Sequence, residues 1–449
     1  MSGDGCQAPG ELHIYNDAVL SSLRPGVLSR SARWLRENRN NAAVLWGSFA
    51  LVHGLLSVLA LCAPGQPMGD VSGVYKEWMR TAVEGGGIVG IDTPWVYPIV
   101  AWLPIAASWL FGPHGYELVW LALVVVADAA AFALMVKGRV PTRLDAARWW
   151  LLFLVVLGPI SVGRIDAFTV PLSIAGILWM TTMPALAALV LTVATWVKVW
   201  PAAILGAAVL VLRGRVRTVL VPLVTSVAIV LVVVLAGGRD NVFSFVTDQT
   251  TRGLQIEAVV STPWMWLSVL PGSASYVYYA SDINTFEMYG PGTGFASEMM
   301  TPLLALAMLG VALLGMRALR SGVSPIRLFP LLALAFVVVF IDTNKVLSPQ
   351  YIVWLAPPVV VGLVVCRDGM FATVAKLSIA IAVLTQFVYP YFYALLLNSH
   401  WYMVLVLSAR NVLLVVLLGC TVRELWRQGS RRRAEGIEQL PSLVAVDGS

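Results

Sequence analysis

Cysteine is scarce in this chain: four residues, Cys6, Cys62, Cys366 and Cys420, stand far apart with no Cys-x-x-Cys pair. That spacing excludes a disulfide framework and a zinc site. Charge is scarce too, at 12% of residues against 59% hydrophobic and a mean hydropathy of +0.81. A soluble globular chain carries roughly 25% charged residues, so this composition excludes one and describes a polytopic, all-α membrane protein. Nucleotide fingerprints are missing as well. No Walker-type lysine motif and no strand-turn-helix glycine loop occurs, which argues against a nucleotide ligand, a nucleotide-activated donor included. The net charge of +6 is explained by basic loops on one side of a membrane, so no nucleic-acid partner is implied.

What the chain has in abundance is apolar runs. At roughly 20 residues per crossing they lie near 43–63, 117–136, 148–163, 166–182, 184–198, 200–212, 217–236, 300–316, 327–341, 351–366, 371–389 and 401–421. The expectation is therefore about twelve transmembrane helices. The apolar stretch Ile99 to Phe111 is bracketed by Pro98 and Pro113 and is too short to cross; it reads as an interfacial or re-entrant helix in the first outer loop. The 17 Trp and 13 Tyr suit aromatic belts at the two interfaces. Residues 1–42 carry Arg24, Arg30, Arg33, Arg36 and Arg39 and read as a cytoplasmic leader with a short amphipathic helix, 43–421 as the transmembrane catalytic domain, and 422–449 as a cytoplasmic basic tail.

Charge tests the topology independently. With the leader inside, the basic clusters Lys137 to Arg148, Arg213 to Arg217, Arg317 to Arg327, Arg367 and Arg423 to Arg433 all fall on the cytoplasmic side, as the positive-inside rule requires. Counting 99–111 as a crossing would break that pattern. The outer segments are then the loops 64–116 and 237–299, the turns Asp342 to Gln350 and Tyr391 to His400, and two short hairpins carrying Arg164 and Lys198. The 237–299 loop, with Tyr276, Tyr278, Tyr279, Tyr289 and the turn Gly290-Pro-Gly-Thr-Gly294, reads as a substrate cover or a solvated linker.

Ionisable groups near hydrocarbon are costly, on the order of 3 kcal/mol on insertion scales, and tend to be paired or functional. Asp70, in Pro64-Gly-Gln-Pro-Met-Gly-Asp70-Val-Ser-Gly-Val-Tyr75, follows the first apolar run and is placed as a base acting on a lipid-carried substrate. Arg164 and Asp166 share the hairpin Gly163-Arg-Ile-Asp166, where they either pair or leave Arg164 for a phosphate. Lys198 sits between two unusually short, proline-broken segments, the kind that line cavities. Lys345 lies in the donor-rich turn Asp342-Thr-Asn-Lys-Val-Leu-Ser-Pro-Gln-Tyr351. Asp128 and Arg410, both mid-segment, read as readily as a structural ion pair as anything else and are given no catalytic role. A metal site gathering Asp70, Glu77, Glu84 and Asp92 would need a ligand spacing that these positions lack, so no metal or other cofactor is expected.

In order along the chain, Asp70, Tyr75, Gly85-Gly-Gly87, Asp92, Tyr97-Pro98, Pro104, Gly163-Arg-Ile-Asp166, Lys198-Val-Trp-Pro201 and Ser348-Pro-Gln-Tyr-Ile-Val-Trp-Leu-Ala-Pro357 resemble the GT-C superfamily of membrane glycosyltransferases. The pattern runs from about residue 45 to 420 and is most similar to glycosyltransferase family 87, the bacterial polyprenyl-phosphate-mannose-dependent mannosyltransferases, although the usual Tyr-Pro-Pro stands here as Tyr97-Pro98-Ile99. The resemblance implies a GT-C fold, Asp70 as the catalytic base, and direct displacement with inversion. A β-linked mannosyl phosphate would then yield an α-mannoside on a glycolipid or glycan acceptor. The chemistry of such a donor needs cations for the departing phosphate, for which Lys198, Arg164 and Lys345 are the candidates. Tyr75, Asp92, Tyr97, Gln350 and Tyr351 are the candidate substrate contacts. The same fold acting on lipid-linked arabinose or glucose is an alternative. A lipid-linked-sugar transporter or flippase is another, though the chain lacks the internal repeats common in transporters.

Overall fold

The computed structural model describes residues 41–212, 215–250, 252–281, 283–366 and 369–438. The arginine-rich leader, Cys6, Arg213, Arg367 and residues 439–449 lie outside the described residues, as do the side chains of Arg215 and of Arg431 to Arg433. The chain divides into two units, 1–49 and 50–449. The described part of the first is Asn41 and the opening turns of a helix, where Trp46 and Phe49 meet edge to face at 5.4 Å.

Each of the twelve apolar segments is helical, and these helices are numbered here. They are α1 (Ala42–Cys62), α2 (Tyr116–Val136), α3 (Pro141–Leu157), α4 (Asp166–Trp179), α5 (Pro184–Val197), α6 (Ala202–Val211), α7 (Arg215–Leu235), α8 (Thr293–Arg320), α9 (Pro325–Asp342), α10 (Ala356–Val365), α11 (Gly369–Gln386) and α12 (Trp401–Glu438). Among the described residues eight helices are long and apolar enough to cross a membrane, namely α1, α2, α3, α7, α8, α9, α11 and α12. The chain is thus a helical, polytopic membrane protein. The helices α4, α5 and α6, and α10 with its leading 3-10 turn, are shorter. Proline opens α3, α5 and α9, where its missing N–H costs nothing and its fixed φ favours the first helical turn.

Burial separates the helices by role. From Leu328 to Asp342, α9 is buried at nearly every position, and α4 is buried from Asp166 to Pro171 and again from Ser173 to Ile177. Helices apolar on all faces belong in an interior. There α9 packs on α6, α8, α10 and α12, while α4 packs on α2, α5 and α10. By contrast α7 and α8 turn most of their surface outward, with Leu223, Val224, Val232, Leu306 and Leu313 exposed.

One reading of the sequence is corrected. Asp128 does not pair with Arg410: its carboxylate lies 2.9 Å from His53 on α1, whereas Arg410 on α12 binds Glu257 at 2.7 Å. The last helix, α12, runs beyond the final apolar run to Glu438 and carries Arg423 and Arg427 within it. The stretch around 99–111 folds as a 3-10 turn, Ile99–Ala101, and a short helix, Trp102–Ala107.

The 237–299 loop holds structure that an all-α reading leaves out. Three antiparallel strands, β1 (Leu254–Gln255), β2 (Tyr276–Ala280) and β3 (Thr285–Tyr289), order as β1-β3-β2 with Tyr276 opposite Tyr289. Met288, Leu254 and Ile256 pack into an apolar cluster with Met403, Val404 and Leu407 of α12. The opposite face carries Tyr276 and Tyr289, their rings tilted against each other at 4.9 Å and half exposed.

Candidate functional site

The segments that charge assigns to one side meet around a cavity of about 530 Å³ at one end of the helices. Its wall takes Asp70, Tyr75 and Tyr97 from the 64–116 loop, Arg164 and Lys198 from the two short hairpins, and Lys345, Gln350 and Tyr351 from the 342–351 turn. The long loop adds Arg252, Gln255 and Thr285, and the segment before α12 adds Tyr389 and Tyr393. Of the nine residues singled out in the sequence, eight therefore line this cavity. Asp92 does not: it is exposed and accepts the Ile88 N–H at 2.6 Å, holding its own loop.

Asp70 opens a single π-helical turn, Asp70–Tyr75, that leads directly into the helix Lys76–Val83. Of the two alternatives for Arg164, pairing with Asp166 is not made. Arg164 instead places Nε 3.0 Å from Asp70 Oδ2, donates through Nη1 to the Pro67 and Gly163 carbonyls, and donates through Nη2 to the Tyr389 hydroxyl at 3.1 Å. Three hydrogen bonds and the ion pair with Asp70 thereby engage the guanidinium inside the protein. Little is left for a phosphate, so Arg164 orients the carboxylate. Burial works against its charge, but Asp70 and Tyr389 more than offset this and raise its pKa above the usual arginine value. Glycine makes the approach possible: a Cβ on Gly163 would lie 2.5 Å from the Pro67 carbonyl oxygen.

The second pair is built in the same way. Asp166 begins α4 and meets Lys198, which ends α5, with Nζ 2.7 Å from Oδ2; Asp166 Oδ1 accepts the Trp354 indole N–H at 2.5 Å. Three rings surround the ammonium, Tyr351 at 4.8 Å, Trp354 at 5.6 Å and Tyr97 at 5.7 Å from ring centroid to Nζ, a cation–π arrangement that favours the charged form. Burial lowers the pKa of Lys198 and Asp166 raises it further, leaving it above the ordinary lysine value. Lys198 is a fixed, caged cation.

Asp70 Oδ2 is also 3.5 Å from the Tyr75 hydroxyl, which lies 3.3 Å from that of Tyr97. Burial first, then the neighbouring phenol or carboxylate, pushes the Tyr75 phenol up, and burial does the same for Tyr97, so both remain neutral. Oδ1 of Asp70 makes no hydrogen bond among the described residues. With the side chain one-third exposed to the cavity, Oδ1 is the oxygen able to take a proton.

No metal cluster is present among the described residues. Glu77 and Glu84 flank Arg80 on the helix Lys76–Val83 and pair with it, and Asp92 is engaged by backbone, so the four carboxylates do not converge.

A second cavity, about 400 Å³ and apolar, adjoins the first. Val199, Trp200 and Phe340 line both, and the groove continues between α6 and α8 along Gly206, Met308, Leu309 and Ala312. The sequence reading missed Arg252, Gln255, Tyr389 and Trp354 at this site. Trp354 and Gln350 belong to the quoted 348–357 run, but nothing in the sequence distinguishes Arg252 from Arg239 in the same loop. The chain matches no family model, no curated protein and no solved structure.

Proposed function

We propose that the protein is an inverting glycosyltransferase of the GT-C type, moving a sugar, mannose in the first instance, from a polyprenyl-phosphate donor to a glycolipid or glycan acceptor. The reaction would take place on the extracytoplasmic face of the cytoplasmic membrane, since the positive-inside rule puts the cavity loops on that side.

The observation that carries this reading is the joined pair of cavities. A polar chamber holds a carboxylate with one oxygen free and shares three wall residues with an apolar groove between helices. A polyprenyl-phosphate sugar has this division, an isoprenoid tail bearing a charged head. The chamber lining holds four cations, Arg164, Lys198, Arg252 and Lys345, against the carboxylate of Asp70, and even with Asp166 counted beside Lys198 the balance favours an anionic ligand. In the reaction Asp70 Oδ1 takes the acceptor hydroxyl proton as that oxygen attacks the anomeric carbon. The bond from that carbon to the phosphate oxygen breaks, and the polyprenyl phosphate leaves with the electron pair. Positioned general bases contribute typically 10²–10⁴-fold, and fixed cations stabilise the charge developing on the leaving group.

The test is transfer from a panel of defined polyprenyl-phosphate sugars into membrane lipids by the purified protein in liposomes, followed by linkage analysis. A labelled product with inverted anomeric configuration is expected. Movement of the intact labelled lipid between leaflets without any new glycosidic bond would replace the enzyme with a flippase.

A further inference from the structure

The four cations of the chamber are not equivalent. Arg164 and Lys198 are spent on Asp70 and Asp166. Arg252 is not so placed. It enters the chamber from the stretch just before β1, and its Nε is buried with no hydrogen-bond partner among the described residues. A buried donor left unmade is costly, and a guanidinium is the side chain best shaped to meet phosphate oxygens in pairs.

Lys345 is brought to the same wall by backbone. The Gln255 N–H donates to the Lys345 carbonyl at 3.0 Å and ties the 342–351 turn to β1, three residues beyond Arg252. Gln255 Nε2 adds a contact to Ser348 Oγ at 3.2 Å. The Lys345 pKa is lowered, first by burial and also by the charge of Arg252, while Glu287 and Glu298 push the other way. Arg252 and Lys345 thus feel each other as like charges. Two cations pinned to one chamber wall, one with an orphaned donor, gain most from an anion between them.

We propose that Arg252 and Lys345 form the cradle for the phosphate of the lipid-linked donor, and that Arg164 and Lys198 act as positioning residues for Asp70 and the aromatic wall. This rests on the donor reading above and moves the phosphate site away from two of the three cations the sequence suggested. It also separates the phosphate from the base: the leaving group is held by the 252 and 345 segments, while Asp70 is held by Arg164, so each is stabilised by its own partner.

The experiment measures binding of sugar-free polyprenyl phosphate, and separately of inorganic phosphate, to the full chain in nanodiscs. The variants are Arg252→Gln, Lys345→Gln and Arg239→Gln, the last removing an exposed arginine of the same loop that does not line the chamber. Arg252→Gln and Lys345→Gln should each weaken polyprenyl-phosphate binding at least tenfold with an unchanged melting temperature, and Arg239→Gln should bind as the parent does. Binding by Arg252→Gln within twofold of the parent overturns the cradle and leaves the donor reading standing. If the parent binds inorganic phosphate in an Arg252-dependent way but not the lipid, the anion site stands and the lipid donor falls. Binding of neither by the parent overturns both. Should Arg252→Gln fail to fold, Lys345→Gln decides by the same thresholds.

Discussion

Two buried arginine–carboxylate pairs in this molecule have nearly the same contact distance and opposite surroundings. Arg164 meets Asp70 at 3.0 Å, with the carboxylate side chain 34% exposed; Arg410 meets Glu257 at 2.7 Å with both side chains fully enclosed. Around Arg410 every neighbour is structural. Nη2 also donates to the Glu257 carbonyl at 2.5 Å, Asn411 Oδ1 accepts from Nε, and Asn411 donates on to Thr262. That network locks α12 to the segment before the helix Thr262–Leu267. Around Arg164 the same kind of network stops at Asp70 and leaves Oδ1 open to the chamber. A guanidinium can thus serve as a rivet or as a holder for a reactive group, and the difference is whether its partner's spare oxygen opens to a chamber, as at Asp70, or is fully enclosed, as is Glu257 Oε1, which also makes no hydrogen bond among the described residues.

The largest effect expected from breaking this comparison is at Asp70. Asp70→Asn keeps the shape and can still accept from Arg164, yet its amide cannot take a proton. Transfer should fall by 10² to 10⁴-fold, the range for a lost general base, on the order of 3 to 5 kcal/mol in barrier, with little change in melting temperature. Near-normal transfer by a folded Asn variant would end the role given to Asp70. Among the described residues no other carboxylate lines the chamber, so the proton would then have to go to a group outside its described lining.

Glu257→Ala should reverse that pattern. It leaves the Arg410 charge buried without its carboxylate, which typically costs about 3 to 5 kcal/mol, so the yield of folded protein and its melting temperature should drop sharply while the surviving fraction turns over at the normal rate. Replacing both partners with apolar residues of similar volume should recover part of the loss, because such swaps of buried pairs are often neutral. A melting temperature unmoved by Glu257→Ala would show that the pair is not a rivet.

Much of the helical framework was legible because hydropathy is a local signal: every apolar run quoted from the sequence is a helix, and α9, apolar on all faces, lies inside. The sheet was not, although Tyr276-Val-Tyr-Tyr-Ala280 followed by a polar turn is a fair strand-and-turn pattern. In a chain this hydrophobic, a short aromatic run is easily taken for loop. The site residues were legible as isolated polar groups in unusual places, and their partnerships were not. Arg164 and Asp166, two positions apart, suggested each other. With Asp166 opening α4 and Arg164 in the turn before it, the first meets Lys198, 32 residues on, and the second reaches back to Asp70. Arg410 and Glu257 are 153 residues apart, and no pattern in one sequence encodes such a meeting.

Lys198 falls between the two extremes and sharpens the comparison. It is as enclosed as a structural lysine, yet its ring cage of Tyr97, Tyr351 and Trp354 belongs to the chamber. Lys198→Met removes a charge-assisted hydrogen bond to Asp166, a loss of about 1.5 to 3 kcal/mol, and should lower kcat roughly ten- to a hundredfold through misplacement of the cage. The donor KM should change less, since the phosphate is held elsewhere. A KM that rises as much as kcat falls would return Lys198 to direct contact with the phosphate.

The smallest effect is expected at Tyr75. Its hydroxyl sits 3.5 Å from the same carboxylate oxygen that Arg164 holds and 3.3 Å from the Tyr97 hydroxyl, both long for O–H donors, whose usual separation is about 2.7 to 2.8 Å. The ring does more: it stacks with Trp78 at 5.7 Å, packs at a tilt on Trp120 at 5.2 Å and is fully buried. Tyr75→Phe keeps that packing and deletes only the long bonds, worth about 0.5 to 1.5 kcal/mol at most. The expected outcome is a kcat reduced two- to tenfold with KM and melting temperature unchanged, because Arg164 alone still fixes Oδ2. Measured beside Arg164→Lys, which keeps the charge but loses the fork that spans Asp70, Pro67 and Tyr389, the variant apportions the orientation of Asp70 between its two holders. If Tyr75→Phe were the more damaging of the two, the carboxylate would be steered by the phenol, and the contrast with Arg410 and Glu257 would lose its arginine.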